Sequence, residues 1–299
     1  MPMTFFRTFL VYFCLIQGFV RAQVNKQLQL LHFHSSHTSF PDTGRMNGYL
    51  YDSILYTTAD HYSDNTVLLV IPTGLKVTDS ADLVFWFHGW RNNIDTAAVF
   101  YALTNQFTRS GRNAILVLAE TAKNSPDSYG GKLENPAEFK SLVHDVMEEL
   151  KKNNVVPQQS KPGRIVIAGH SGAFLVIAHI LQNGQMAVQE VFLFDALYSE
   201  VDKFMAWLSE DNSRHFIHWF TNHGGGTDEM SDSMMLELKQ KHIDFILAEE
   251  TGLVPKQIKN NRILFVHSKR EHNVIINNPD DFQLLLENSF VLRPMVSPQ

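Results

Sequence analysis

The sequence predicts an α/β protein, with a mostly parallel sheet that starts antiparallel and carries helices on both faces. Three observations lead there. Three strand-like stretches come first with no convincing helix between them: Leu28 to His34, Tyr49 to Thr58 and Thr66 to Pro72. From Leu83 onward, strand and helix patterns alternate. The later strand runs are short and nearly all apolar, which suits strands covered on both sides by crossover helices. At 299 residues and 44% hydrophobic content the chain can bury one large core, and a single domain is expected over residues 23–299.

The first residues read as a processing signal. Arg7 supplies a positive n-region, Phe9 to Val20 is largely apolar, and Ala22 offers a small residue before a cut. A cleavable signal peptide over residues 1–22 is expected, giving a secreted or periplasmic protein. The apolar run is shorter than the roughly 20 residues that span a bilayer, so no stable membrane anchor is expected. The one cysteine, Cys14, lies inside this segment behind the bulky Val11-Tyr12-Phe13, a poor context for lipid attachment. The processed chain would then hold no thiol, disulfide or Cys-ligated metal. Removing Arg7 and Arg21 leaves 23 of the 25 Lys+Arg against 31 Asp+Glu, a charge of −8. With no Lys/Arg-rich patch, nucleic-acid binding is set aside.

After the antiparallel start comes the strand Leu83 to Phe87, then a helical pattern from Thr96 to Arg109 closed by Gly111. The strand Ala114 to Leu118 follows. Asn135-Pro136-Ala137-Glu138 then announces a helix, with Asn135 as cap, Pro in the first turn and Glu at N3. Its core face is Phe139, Leu142, Val143, Val146, Met147 and Leu150, one stripe at three-four spacing. Further strands are read at Arg164 to Ala168, Val191 to Phe194, Ile263 to Val266 and, with more polar residues, His215 to Thr221. No repeat, low-complexity tract or linker divides this order.

The apolar strand Arg164 to Ala168 runs straight into Gly169-His170-Ser171-Gly172-Ala173, and a helix follows that ends near Gly184. A serine on such a strand-turn-helix corner is lifted above the sheet edge, small neighbours let the two backbones approach, and the helix N-terminus favours negative charge. The bland alternative is a glycine-rich phosphate loop, but neither the P-loop nor the dinucleotide pattern is present. With this motif and its element order, the chain from about residue 27 to 290 resembles the α/β-hydrolase superfamily. Ala173 departs from the family's G-x-S-x-G pattern, at a position where small size is what counts. The resemblance implies an esterase, lipase or related acyl-transfer hydrolase with Ser171 as nucleophile and no cofactor.

A serine hydroxyl needs a base oriented by a carboxylate, and the fold's chain order is Ser, acid, His. His272 suits the base, in the polar loop after Ile263 to Val266. His267 competes but abuts the strand. For the acid, Asp195 ends the strand Val191 to Phe194, as in pancreatic-type lipases, whereas most members place the acid one strand later, where Asp228 is the nearby carboxylate. Asp195 is preferred, with Asp228 as the alternative, because orienting an imidazole calls for a rigid element. An aspartate there also reads as a helix cap. The oxyanion is expected to meet the amides of Gly172 and Trp90, the latter in His88-Gly89-Trp90, which resembles the family's His-Gly segment.

Other features carry lighter expectations. His88, Gly89, His170, Glu120 and Tyr129 are expected on the substrate side, Glu120 and the loop Asn124 to Gly131 because the sheet's carboxyl edge is where ligands bind. Trp90 and Tyr129 are taken as wall residues, and the other tryptophans as core. Tyr198 to Asp211 could form a small cap, and Gly224-Gly225-Gly226 reads as a flexible turn, with a mobile lid as the alternative. His32, His34 and His37 suggest a metal site, but the carboxylates or histidines at later strand ends that would complete one are better explained otherwise, so they read as edge-strand surface and no metal is expected. The partner is a small-molecule, glycan or lipid ester, and the oligomeric state is left open. The rivals to a carboxylic-ester hydrolase are a silent scaffold binding an extracellular ligand such as a glycan, and a peptidase or acyltransferase using the same triad.

Overall fold

The computed structural model describes residues 28–295 apart from 224 and 278; the predicted signal peptide lies outside them. The strands are β1 (Leu28–His34), β2 (Tyr49–Tyr51), β3 (Ile54–Tyr56), β4 (Thr66–Pro72), β5 (Ser80–Phe87), β6 (Ala114–Ala119), β7 (Lys161–His170), β8 (Glu190–Phe194), β9 (His215–Thr221), β10 (Ile246–Glu249) and β11 (Ile263–Ser268). The helices are α1 (Thr58–His61), α2 (Ile94–Phe100), α3 (Leu103–Arg109), α4 (Glu138–Lys152), α5 (Phe174–Asn183), α6 (Val201–Glu210), α7 (Asp228–Gln240), α8 (Pro255–Asn260) and α9 (Asp281–Glu287). None of the described helices is long and apolar enough to cross a membrane.

Nine strands form one sheet in the order β1-β4-β6-β5-β7-β8-β9-β11-β10. The pairs β1/β4 and β4/β6 are antiparallel, and every pairing from β6 through β5 to β10 is parallel. This is the mostly parallel sheet with an antiparallel start that the element order implied. Alternation along each strand sends side chains to two cores. On β5, Leu83, Phe85 and Phe87 join one core with the buried faces of α4 to α7, while Val84 and Trp86 join the other with α2, α3, α8 and α9. The six-residue stripe of α4 is buried throughout, which fits its role as a helix laid on a sheet.

Several local expectations are corrected. The stretch Tyr49 to Thr58 is not a strand of the main sheet. It is the separate β2-β3 hairpin, turned by Asp52 and Ser53 at φ 50° and 63°, as a two-residue turn matching strand twist requires. The helix expected over Thr96 to Arg109 breaks at Tyr101-Ala102, where Ala102 is left-handed and Gln106 Nε2 donates to the Tyr101 carbonyl. Helix α4 starts at Glu138 behind a left-handed Ala137, with no side-chain cap, because the chain arrives through a short 3-10 turn over Gly131–Glu134 and the Ala137 amide donates to Asn183. Tyr198 to Asp211 is no cap: α6 buries Phe204, Met205, Trp207 and Leu208 in the core. His32 and His34 are exposed on edge strand β1.

Candidate active site

Strand β7 delivers His170 and then turns sharply at Ser171, whose φ of 55° is left-handed. A non-glycine residue held there costs about 1 kcal/mol or more, so its surroundings must enforce it. They do so by close packing. A Cβ on Gly169 would meet Ala173 Cβ at 2.8 Å and Ile177 Cδ1 at 2.6 Å, and a Cβ on Gly172 would meet Trp90 Cδ1 at 2.5 Å. Ala173 is accommodated where the motif usually has glycine because position 169 carries no side chain. Gly89 is pressed just as closely, since a Cβ there would fall 2.6 Å from Ser171 Cβ.

Asp195 follows β8 and is fully buried. Its Oδ2 accepts a 2.6 Å hydrogen bond from His272 Nδ1, and its Oδ1 accepts from Thr227 Oγ1 at 2.8 Å and from the amides of Thr227 at 3.0 Å and Thr221 at 3.3 Å. His272 opens a short helical turn after β11, and its ring lines the same cavity as Ser171. Tyr198 lines that cavity with them. Arg270 braces the His272 loop by donating to the carbonyls of Val274 at 2.9 Å, Asn277 at 3.1 Å and Ile275 at 3.2 Å while it pairs with Glu250 and Asp281.

The sequence matches no family model and no curated protein. Solved structures do resemble this one. A ferulic acid esterase superposes with a TM-score of 0.50 at 11% identity, covering 88% of this chain and 100% of that one. A mutant of the feruloyl esterase module from Clostridium thermocellum complexed with sinapinate gives a TM-score of 0.57 at 10% identity, covering 91% and 92%. The chain has the α/β-hydrolase fold. At such identities the likeness speaks for architecture, so the chemistry of this α/β-hydrolase fold has to be argued from its own side chains.

The cavity over Ser171 measures about 1020 Å³ and has aromatic walls made by Tyr49, Trp90, Phe100, Tyr101, Phe174 and Tyr198. One side is built by the segment before β4. Arg45 pairs with Asp127 through Nε at 2.6 Å and Nη2 at 3.1 Å, and its guanidinium stands 4.7 Å from the Tyr49 ring and 4.5 Å from Tyr129. Tyr129 and Trp90 thus occupy the wall. The Trp90 amide donates to nothing among the described residues, whereas that of Arg91 is taken by the Ser125 carbonyl at 2.8 Å.

Burial governs the charges of this site. It would raise the Asp195 carboxyl, but the hydrogen bonds from His272 and Thr227 outweigh it and hold the group below its ordinary value. Burial and the neighbouring His272 push His170 down to about 3, and burial pushes His218 down to about 4. His218 sits behind Asp195, with Nε2 3.1 Å from Thr227 Oγ1 and 3.0 Å from Ser231 Oγ. Both hydroxyl protons are committed elsewhere, to Asp195 and to the Thr227 carbonyl, so the two oxygens face Nε2 as acceptors, while Nδ1 faces the Leu193 carbonyl at 3.4 Å.

Three expected site residues, Glu120, His88 and His170, and the alternatives Asp228 and His267 are elsewhere or act differently. Glu120 is buried beneath the cavity, where Oε1 lies 2.6 Å from His88 Nε2, and neither side chain reaches the substrate space. Asp228 begins α7 and makes no bond to His272; the residue that matters there is its neighbour Thr227. His170 lines the cavity but is buried, with both ring nitrogens occupied by protein groups. His267 pairs with Glu249 at 3.1 Å away from the cavity. Sequence reading missed Thr227 and the Arg45-Asp127 wall, and took Tyr198 for the start of a cap where it is a wall residue. Of the two missed, only the Arg45-Asp127 wall left a signal, a basic residue among closely spaced tyrosines. Among the described residues no group of three or more His, Cys, Asp or Glu is arranged to hold a metal.

Proposed function

We propose that this chain is an exported serine hydrolase that cleaves carboxylic esters through an acyl-enzyme. The observation that carries the reading is the 2.6 Å bond from His272 Nδ1 to a buried carboxylate, beside a serine held at left-handed φ on the floor of a large cavity. With Nδ1 donating to Asp195, the imidazole carries its lone pair on Nε2, the state needed to take a proton.

Ser171 Oγ attacks the ester carbonyl while His272 Nε2 removes its proton. The carbonyl π pair moves to oxygen, where the amides of Trp90 and Gly172 receive the charge; one such donor is worth about 3 kcal/mol. The tetrahedral species collapses, the C–O bond to the alcohol breaks, and His272 returns the proton to that oxygen. Water then repeats the sequence on the acyl-enzyme, and the carboxylic acid leaves as Ser171 regains its hydrogen. The aromatic walls favour an ester with an aryl or bulky apolar group, which makes ferulic esters the first substrates to assay, since both similar structures are named for that activity. Cleavage after Ala22 on export completes the proposal.

A fluorophosphonate probe tests it. Wild type labels and turns over p-nitrophenyl esters, and Ser171→Ala does neither. Equal labelling of the two would sink the assignment, and a folded wild type that neither labels nor hydrolyses any activated ester would favour a silent scaffold.

A further inference from the structure

His170 stands next to the nucleophile in the motif, yet both of its nitrogens are used up inside the protein. Nε2 lies 3.0 Å from the main-chain carbonyl of His272, and Nδ1 lies 3.1 Å from the phenol of Tyr101. A carbonyl only accepts, so Nε2 must carry the proton; Nδ1 is then bare, and the Tyr101 hydroxyl donates to it. The His170 ring also lies 4.4 Å from the His272 ring, tilted by 33°. Tyr101 caps the C-terminus of α2, directly before the break at the left-handed Ala102.

We propose that His170 is the positioning residue of the general base: a Tyr101–His170–His272 chain of fixed proton direction that anchors the His272 backbone and seats its ring on a neutral imidazole. This rests on the serine-hydrolase reading above. Three constraints meet on one side chain. Asp195 sets the tautomer of His272 and Arg270 ties the loop beyond it, but neither reaches the His272 carbonyl, to which His170 is the one side chain bonded among the described residues. The neutral state is part of the device. His272 becomes a cation during each half-reaction, and a second imidazolium 4.4 Å away would oppose that, whereas a neutral ring face accepts it. Burial keeps His170 neutral and keeps Tyr101 protonated as its donor. The x of the G-x-S motif therefore does work on the base while its neighbour does work on the substrate.

The test pairs kinetics with a spectrum. His170→Phe keeps a ring but has no donor, and His170→Gln keeps a donor without the ring. In the phenylalanine variant kcat is expected to fall at least about tenfold with KM within about twofold, as for a mispositioned catalytic group, and to recover partly in the glutamine variant. Tyr101→Phe, which frees Nδ1 to take the proton, is expected to lower kcat as well. On the wild-type protein, 15N-labelled histidine is expected to show His170 protonated on Nε2, bare on Nδ1 and not titrating between pH 8 and pH 5. Wild-type kcat in His170→Phe, or a proton on Nδ1, would overturn the proposal. The spectrum needs no activity, and Ser171→Ala tests the nucleophile separately, so failure of one reading is distinguishable from failure of the other.

Discussion

Replacing Asp195 by asparagine isolates the part of the site that depends on proton direction alone. Three donors converge on Oδ1, from Thr227 Oγ1 and the amides of Thr227 and Thr221. An asparagine must therefore turn its oxygen toward them, which leaves its NH₂ facing His272 Nδ1. Two donors cannot share that 2.6 Å contact, so Nδ1 has to accept and the imidazole proton moves to Nε2, the atom that must receive the proton of Ser171. Serine proteases with the same change lose about four orders of magnitude in kcat, equivalent to about 5 kcal/mol. The same loss is expected here with the fold intact, because the amide is isosteric and every Oδ1 bond survives. Hydrolysis of p-nitrophenyl butyrate, fluorophosphonate labelling and thermal unfolding read out the three quantities. A folded Asp195→Asn enzyme within about tenfold of wild type would refute the argument from tautomer, because no other arrangement of these donors leaves Nε2 free.

Three further perturbations follow from the packing and charge of the fold. Gly89→Ala puts a Cβ 2.6 Å from Ser171 Cβ and 2.8 Å from the His170 carbonyl; neither neighbour can move without dragging the nucleophile turn, so kcat should drop about 100-fold while circular dichroism stays native. Arg270→Ala leaves Glu250 and the buried Asp281 without their cation and strips donors from three carbonyls of the His272 loop. Urea unfolding should show a loss of about 3–5 kcal/mol, and a loss under about 1 kcal/mol would contradict it. Glu190 is buried at the start of β8 with its carboxyl raised to about 7 by burial. A raised carboxyl binds a proton in the fold that the unfolded chain has already released, so its stabilisation is full at low pH and fades as pH climbs through about 7. Glu190→Gln lacks that dependence. Relative to wild type it should be more stable at pH 8 than at pH 5 by about 2 kcal/mol, measured by urea titration at both values; an equal offset at the two would count against the buried acid.

Much of the fold was legible because it depends on local pattern. Apolar runs and three-four spacing are properties of neighbouring residues, and strands β4 and β9 and the buried stripe of α4 fall where those patterns put them. Where tertiary contacts override local preference, the sequence misled. Gln106 reaching the Tyr101 carbonyl breaks a helix that periodicity makes continuous, and β10 is a four-residue edge strand, Ile246–Glu249, mostly exposed and too short for its apolar residues to mark it as a strand.

The site divides along the same line. A residue's place at the carboxyl edge of the sheet can be read from the end of a strand, and Ser171, Asp195 and Glu120 were all placed there on that ground. Which way the side chain then points is decided by what packs above it. The protein poses this contrast directly, for it holds two histidine-carboxylate pairs at that edge with the same 2.6 Å separation, His88-Glu120 and His272-Asp195. In the first, both side chains are 1% exposed and sealed under the loop that follows β5, and the pair braces the turn that carries Trp90. In the second the carboxylate is equally buried, but the imidazole is 16% exposed and faces the cavity beside Ser171. Bond length and burial of the acid are shared, so neither can be what makes one pair chemical. The difference is the open side of the histidine, which lets the proposed base share with the proposed nucleophile a cavity that Gly89 and Gly172 also line.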